Sequence, residues 1–290
     1  MKSILLFPLL LASSVMAQEP DSSSALFSMR DAERNFARAS VMFGRNTAFA
    51  ENFAEESVIY TDRWLTNGKQ FSKERKPTPV VLKWEPEFMD ISGSRDFGIS
   101  TGPWEAQEYR PNTAPLSTGY YLTVWKMQSD GVWKVILDAG STTPAPPGKN
   151  HTFSFPAGAD KVISNPPVIK VDILCKELLE REQQILSEWK KNPLNATYTS
   201  FLAPNARVQR DGHLPTTNTD TINVWIAHLD KTLFWTSNGA GAATSGDLGF
   251  TYGLIETAGN PGIKKGHYGR IWRKSHGTDW KIILEMLSLD

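Results

Sequence analysis

The sequence predicts an α+β protein built as two tandem units, each with leading helices packed in a curved antiparallel sheet. Two observations carry this. The phrase SRDFGISTG at 94–102 returns as SGDLGFTYG at 245–253, inside longer blocks that also recur. Within each copy, helical periodicity comes first and a run of strand patterns follows, the order of an α+β fold rather than of alternating βαβ units.

Three blocks align. VIYTD (58–62) lies against RVQRD (207–211), and 84–102 lies against 235–253 with Trp84 on Trp235. Residues 119–138 match 266–285 without a gap, which sets Tyr121 on Tyr268, Trp125 on Trp272 and Asp138 opposite Glu285. The separation is constant within a block and changes between blocks, so insertions fall in loops. Between the copies, 141–167 is rich in Pro and Gly and has no periodicity; it reads as a linker of polyproline-like stiffness. The expected boundaries are a leader at 1–17, a first unit at 22–140, a linker at 141–169 and a second unit at 170–290.

Each copy opens on a helix. Ser28 is the expected cap in the first, with Phe36, Ser40 and Phe43 along one face; Asp172 is its counterpart, ahead of a stripe of Leu174, Leu178, Ile185 and Trp189. A short second helix follows at 47–54 and 194–202. Next comes a strand at 57–61 and 206–210, ending in Asp62 and Asp211. A third helix is clear at 219–230, whereas at 73–82 Pro77 and Pro79 interrupt it. Strands close each unit. In the repeated phrase, alternation puts Phe97, Ile99 and Thr101 on one face and Gly98, Ser100 and Gly102 on the other, and the second copy divides the same way. A face reduced to small residues twice over implies a helix in close approach or a cavity.

Composition narrows the function. Lys+Arg 31 balance Asp+Glu 31, so there is no cationic excess to neutralise phosphates and nucleic acid is excluded as the expected partner. Ten Trp and 40% hydrophobic residues suffice for sizeable cores. Lys2, the apolar run ILLFPLLLA (4–12) and the small residues Val15 and Ala17 form a secretory leader cleaved after Ala17. The run is too short to span a bilayer, so the expected product is soluble and periplasmic or extracellular. The single cysteine, Cys175 in ILCKELL, reads as buried apolar filler. Five scattered His show no ligand spacing, and the Gly-rich 239–249 lacks GxxxxGK[ST]; neither a metal nor a cofactor is expected.

Trp-x-Pro (84–86), Gly-Asp-Leu-Gly-x-Thr-x-Gly (246–253), Gly-Pro-Trp-Glu (102–105) and Gly-Tyr-Tyr…Trp…Gly-x-Trp-Lys (119–134) together resemble the nuclear transport factor 2-like superfamily, more narrowly its SnoaL-like, domain-of-unknown-function branch. The resemblance runs through both copies. It implies two tandem cone-shaped domains, each with a long N-terminal helix in the hollow of a strongly bent sheet and a pocket at the open end. Its members include ketosteroid isomerases, polyketide cyclases and epoxide hydrolases, so the fold alone does not decide the chemistry.

Candidate residues follow. A general base of the isomerase kind would be Asp62, with Tyr60 or Tyr121 as partner; against this, Asp62 and Asp211 also suit turn capping. Asp96 and Asp247 suit side-chain bonds to turn amides. Asp138 and Glu285 share period-two parity with Lys134 and Lys281, so solvated ion pairs are expected and a pocket acid is the alternative. The expected ligand-lining set is Tyr60, Asp62, Trp104, Tyr121 and Trp125 in the first copy, and Asp211, Tyr252, Tyr268 and Trp272 in the second. The sequence reading is thus an exported protein that binds a small apolar or aromatic molecule. Its alternatives are an isomerase-, cyclase- or hydrolase-like enzyme using Asp62, and an interaction module with filled cones whose two copies pair as a pseudo-dimer.

Overall fold

The structure is a computed structural model that describes residues 24–61, 64–109, 114–144, 152–159, 168–191, 195–257, 264–274 and 279–289. The leader at 1–17 and Asp62 lie outside the described residues. The fold is α+β with two curved sheets, each accompanied by its own helices.

Helix α1 (Ala25–Phe43) starts one turn earlier than the sequence suggests, because Ser24 rather than Ser28 accepts the capping bond from the Phe27 amide. Ser28 instead receives the indole N–H of Trp133 at 2.9 Å. The buried stripe of α1 is Leu26, Met29, Glu33, Phe36 and Ser40, at the spacing of one helical face. Its counterpart α4 (Val171–Lys191) buries Leu174, Leu178, Glu182, Ile185 and Trp189. Each stripe therefore carries one glutamate among its apolar residues, and both glutamates are fully buried.

After α1 come α2 (Arg45–Asn52) and the strands β1 (Phe53–Thr61) and β2 (Trp64–Asn67), then α3 (Gly68–Glu74). The third helix of the first copy thus lies upstream of 73–82. Pro77 and Pro79 cannot extend a helix, and the Val-rich segment beyond them forms β3 (Val80–Trp84). Four more strands complete the first sheet: β4 (Phe88–Ile91), β5 (Phe97–Glu108), β6 (Ser117–Met127) and β7 (Trp133–Thr143), in the order β2-β1-β7-β6-β5-β3 with β4 also on β5. The second half places α5 (Asn195–Thr199), β8 (Leu202–Arg210), α6 (Thr219–Ala227), β9 (Leu233–Ala242), β10 (Leu248–Thr257), β11 (Lys264–Arg273) and β12 (Lys281–Leu289) in the order β8-β12-β11-β10-β9. From β1 through β5 the first order corresponds to β8 through β10 of the second, with β9 in the place of β3 and β4; β2 has no counterpart among the described strands. In both, the first strand runs parallel to the last, so neither sheet is purely antiparallel as expected.

Registers fix the equivalences. Phe53 pairs Val135 and Val58 pairs Leu137 in one sheet; Leu202 pairs Ile282 and Arg207 pairs Leu284 in the other. Thr123 faces Asp138 as Arg270 faces Glu285.

Each half has its own apolar core between helix and sheet, one around Phe36, Trp125 and Trp133, the other around Leu178, Trp189 and Trp272. Complete burial of one such large side chain contributes roughly 1.5–3 kcal/mol. The small-residue faces of the repeated phrase meet the helices: a Cβ on Gly98 would stand 2.5 Å from Met29 Sδ, and one on Gly249 2.6 Å from Leu178. A third cluster draws on the opposite faces of both sheets, including Phe97, Ile99 and Leu122 with Phe250, Ile271 and Met286. The turns that open the repeated phrase join in this contact. Ser94 and Ser245 hydroxyls lie 3.0 Å apart, Gly93 N–H donates to Asp247 at 3.0 Å, and Arg273 binds both Asp247 and Asp90. Asp247 thus satisfies its oxygens on the other half as well as on its own turn.

Part of the segment between the halves is tied down rather than free. Residues 141–143 continue β7, and Ser154 exchanges backbone bonds with Glu87 and Met89 while Phe153 and Phe155 pack on the first core. Aromatic side chains in a Pro-rich stretch gain more by burial than by solvation. Among the described residues, no helix is long and apolar enough to cross a membrane.

Candidate functional site

A cavity of about 350 Å³ opens in the first half. Its sheet wall carries Thr61, Trp84, Trp104, Tyr121, Thr123 and Asp138; its helix wall carries Phe49 of α2, Phe71 and Ser72 of α3, and the arginines Arg45 and Arg75. The surroundings are aromatic and apolar with a few convergent polar groups, the composition of small-molecule pockets.

Asp138 enters this space through a β-bulge. Between Val124/Leu137 and Trp125/Val135 the register of β6 on β7 shifts, leaving Ile136 as an extra residue. One inserted residue reverses the facing of all that follows, so Asp138 turns into the hollow while Lys134 stays on the opposite face. The expected Asp138–Lys134 pair does not form: Lys134 Nζ donates to the Glu51 carbonyl. The same shift occurs between Ile271/Leu284 and Trp272/Ile282 and turns Glu285 inward, away from Lys281, whose Nζ donates to the Ser200 carbonyl.

The Asp138 carboxylate accepts one bond, from Thr123 Oγ1 at 2.7 Å. Burial pushes its pKa up to about 7; the Thr123 bond offsets part of this and the nearby Glu33 adds to it. Behind the cavity, Glu33 accepts from Trp84 Nε1 at 2.6 Å, from Trp125 Nε1 at 2.8 Å and from Ser100 Oγ. Burial still raises its pKa, although all three bonds oppose the shift. Tyr121, 6% exposed, has a buried hydroxyl that makes no hydrogen bond; Ser100 lies near it but is committed to Glu33. Burial, with the acids Glu33, Glu85 and Asp138 around it, holds the Tyr121 phenol well above its ordinary pKa. On the helix wall, Arg45 is lowered to about 10, first by burial and then by repulsion from Arg75. Its Nε is buried without a partner, and neither arginine has an ion pair among the described residues.

The second half fills the equivalent space with its own side chains. Arg270, fully buried, donates Nε to Glu285 at 2.7 Å, a second nitrogen to Tyr198 Oη at 2.7 Å, and the third to Glu182. Arg210 also binds Glu285. Burial alone would raise Glu285, but Arg210 and Arg270 outweigh it and hold the pKa down at about 2. A depression of about 320 Å³ remains beside α6, lined by Arg210, Trp225, His228 and Leu287. Arg270, Glu285, Tyr198 and Tyr268 do not line it.

The sequence-predicted residues divide accordingly. Trp104 and Tyr121 line the first cavity. Tyr60 borders it, but its hydroxyl reaches the other half, donating to the Tyr268 carbonyl at 2.6 Å and accepting from Gly253 N–H at 3.1 Å. Asp62 lies outside the described residues. Trp125 and Trp272 sit behind the sheet walls with their indoles bonded to Ser100 and Thr251 at 3.1 and 2.9 Å, so they brace the helices instead of meeting a ligand. Tyr268 is buried against Trp235 and Arg270, and its hydroxyl meets Ser237. Tyr252 belongs to the contact between sheets, stacked on Phe250, because strand parity aims it away from α4. Asp211 accepts from the Thr142 N–H at 2.7 Å and from its hydroxyl, a role in loop anchoring. Cys175 is half-buried and its Sγ lies 3.5 Å from the Ala240 carbonyl.

Sequence reasoning missed Glu33, Glu182, Arg210 and Arg270. The signal for the glutamates was present: each occupies a core position of an otherwise apolar helical stripe. Nothing local marks the arginines.

No protein-family model matches the chain, and neither does any curated protein. Solved structures similar to it each match one part of its length. A suspected ketosteroid isomerase from Shewanella frigidimarina is 19% identical, with 42% of this chain and 98% of that one covered and a TM-score of 0.31. A nuclear transport factor 2-like protein of unknown function from Shewanella oneidensis is 15% identical, covering 39% and 96%, at 0.32. A nuclear transport factor 2-like superfamily protein from Salmonella enterica is 16% identical, covering 44% and 97%, at 0.33.

Proposed function

We propose that the chain is an exported binding protein that holds one small molecule, with an apolar or aromatic body, in its first cone. The observation that supports this is the contrast between halves. The first keeps an aromatic cavity with Asp138, Tyr121, Arg45 and Arg75 turned to it, while the second closes the equivalent space with Arg270. A carboxylate with a single hydrogen bond, Asp138, and two arginines without an ion pair among the described residues are costly to maintain without a partner that satisfies them. In this reading the units at 22–140 and 170–290, joined by 141–169, pair as a pseudo-dimer in which the second serves as a packing partner. Export rests on the leader pattern, and N-terminal sequencing of the secreted form should begin at Gln18.

Native mass spectrometry of the exported protein tests the binding. The chain should carry a small molecule that is lost in Ala106→Phe, which fills the cavity from the sheet wall. Failure of the protein to carry any, together with no response to aromatic carboxylates in a titration, overturns the reading.

One observation favours a second reading, an isomerase- or hydrolase-like enzyme. A carboxyl titrating at about 7 beside a free phenol can both take and give a proton. Asp138, rather than Asp62, would then be the acid–base group, and Asp138→Asn would abolish turnover while leaving binding in place.

A further inference from the structure

The duplication supplies its own comparison between an empty and a filled cone. Arg270 in the second half is enclosed by three aromatic rings, with its guanidinium carbon 4.8 Å from the Tyr268 ring centre, 5.1 Å from Trp235 and 5.7 Å from Tyr198. Two carboxylates, Glu182 and Glu285, take its N–H groups. By register and by the aligned blocks, the equivalents in the first half are Tyr121, Trp84 and Phe49 for the rings and Glu33 and Asp138 for the acids. Every member of the cage is present in chemical kind. The cation is missing because Thr123 stands where Arg270 does and Thr61 where Arg210 does, and the Trp84 indole N–H takes the guanidinium's place on Glu33.

The three rings, Thr61, Thr123 and Asp138 all line the first cavity. The cavity is therefore bounded by the positions at which the second half carries two arginine side chains. Tyr121 adds a separate indication: its hydroxyl is buried and unpartnered, whereas that of Tyr268 meets Ser237 at 3.0 Å. Aromatic faces attract a cation through their quadrupoles, and Asp138, which faces the cavity with a single hydrogen bond, has room for a multi-donor cation, whereas Glu33 is already satisfied by Trp84, Trp125 and Ser100. On the facing helix wall, Arg45 and Arg75 repel a second cation and complement an anion.

We infer that the first cone takes a ligand with a guanidinium-type cation at one end, seated among Tyr121, Trp84, Phe49 and Asp138 as Arg270 is seated in the second cone, and a carboxylate at the other, facing Arg45 and Arg75. This rests on the ligand-binding reading and names the ligand's chemical class, a compact guanidino or amidino carboxylate with an apolar body.

The test is a calorimetric titration of the whole secreted chain with three probes: para-(guanidinomethyl)benzoate, its neutral isostere para-(ureidomethyl)benzoate, and para-toluate. The guanidino compound should bind about tenfold or more tightly than the ureido one, the range for hydrogen bonds to a charged group. That preference should vanish in Asp138→Asn. Thr123→Arg carries its own guanidinium into the cage and should lose the guanidino probe by at least tenfold while melting at a higher temperature. Thr123→Val, which leaves the space open, should still prefer the guanidino probe. Equal binding of all three probes overturns the inference and leaves the ligand-binding reading standing; no binding of any probe, para-toluate included, overturns the inference, and the ligand-binding reading with it when the exported protein also carries no small molecule. A folded Thr123→Arg protein that binds the guanidino probe unchanged also overturns the inference.

Discussion

Arg270 Nε donates to Glu285 over 2.7 Å across a register pair whose counterpart in the first sheet is Thr123 donating to Asp138, also over 2.7 Å. This position, together with Thr61 and Arg210, separates the half closed by a charge cluster from the half left hollow. Replacing Arg270 by Met should cost about 3–5 kcal/mol, because it leaves Glu182 without a counter-charge in a dry core and Glu285 with Arg210 alone. Urea denaturation measures this. A loss under about 1 kcal/mol would mean that the acids do not depend on the guanidinium. Arg270→Lys should recover little, since an ammonium cannot reach three partners in one plane.

Asp138 gives a pH signature. Its folded-state pKa lies above the ordinary carboxylate value, so the folded protein holds that proton more tightly than the unfolded chain does. The stability it contributes is fully present below about pH 4 and is lost as pH rises toward 7. Asp138→Asn should abolish that decline, gaining on the order of 2 kcal/mol on the parent between those limits, a figure reduced because water reaches the carboxyl through the cavity. Melting temperatures of both proteins across this range provide the check; parallel curves would place the titrating group elsewhere.

Arg273 ties the halves together through Asp90, which is 1% exposed on the first half, and Asp247 on its own. Arg273→Ala should destabilise the protein by about 3 kcal/mol, mainly by leaving Asp90 uncompensated. Asp90→Asn should relieve much of that loss in the double variant. A double-mutant cycle with no coupling would show that the contact carries no energy.

Gly98 lets α1 approach the first sheet. A Cβ there would stand 2.5 Å from Met29 Sδ and 2.7 Å from the Asp90 carbonyl, and the second contact is backbone that cannot swing aside. Gly98→Ala should therefore cost about 1–3 kcal/mol, read from chemical denaturation, and Met29→Ala should restore only part. An unchanged midpoint would mean that the strands shift freely, contrary to this packing.

Much of this was written locally. The repeated phrase, the helices-then-strands order and the small-residue faces are patterns of neighbours in sequence, and the structure realises each. The element bounds shifted where one residue's partner was distant. Ser28 serves Trp133 instead of a helix end, and 80–84 joins a sheet edge on β5. The site was less legible. Parity assigned Asp138 to a surface ion pair because a bulge at Ile136 leaves no mark in a two-residue rhythm. Tyr60, expected in the pocket, reaches across to Gly253 and Tyr268.

The sequence by itself determined that one α+β unit was written twice and which residues stand at matching places. Tertiary structure alone decided which cone is hollow, because emptiness depends on whether side chains far apart in the chain, such as Arg270 and Glu182, converge on one volume. It also decided the facing of both inward acids, since one extra residue in a ladder reverses every side chain beyond it.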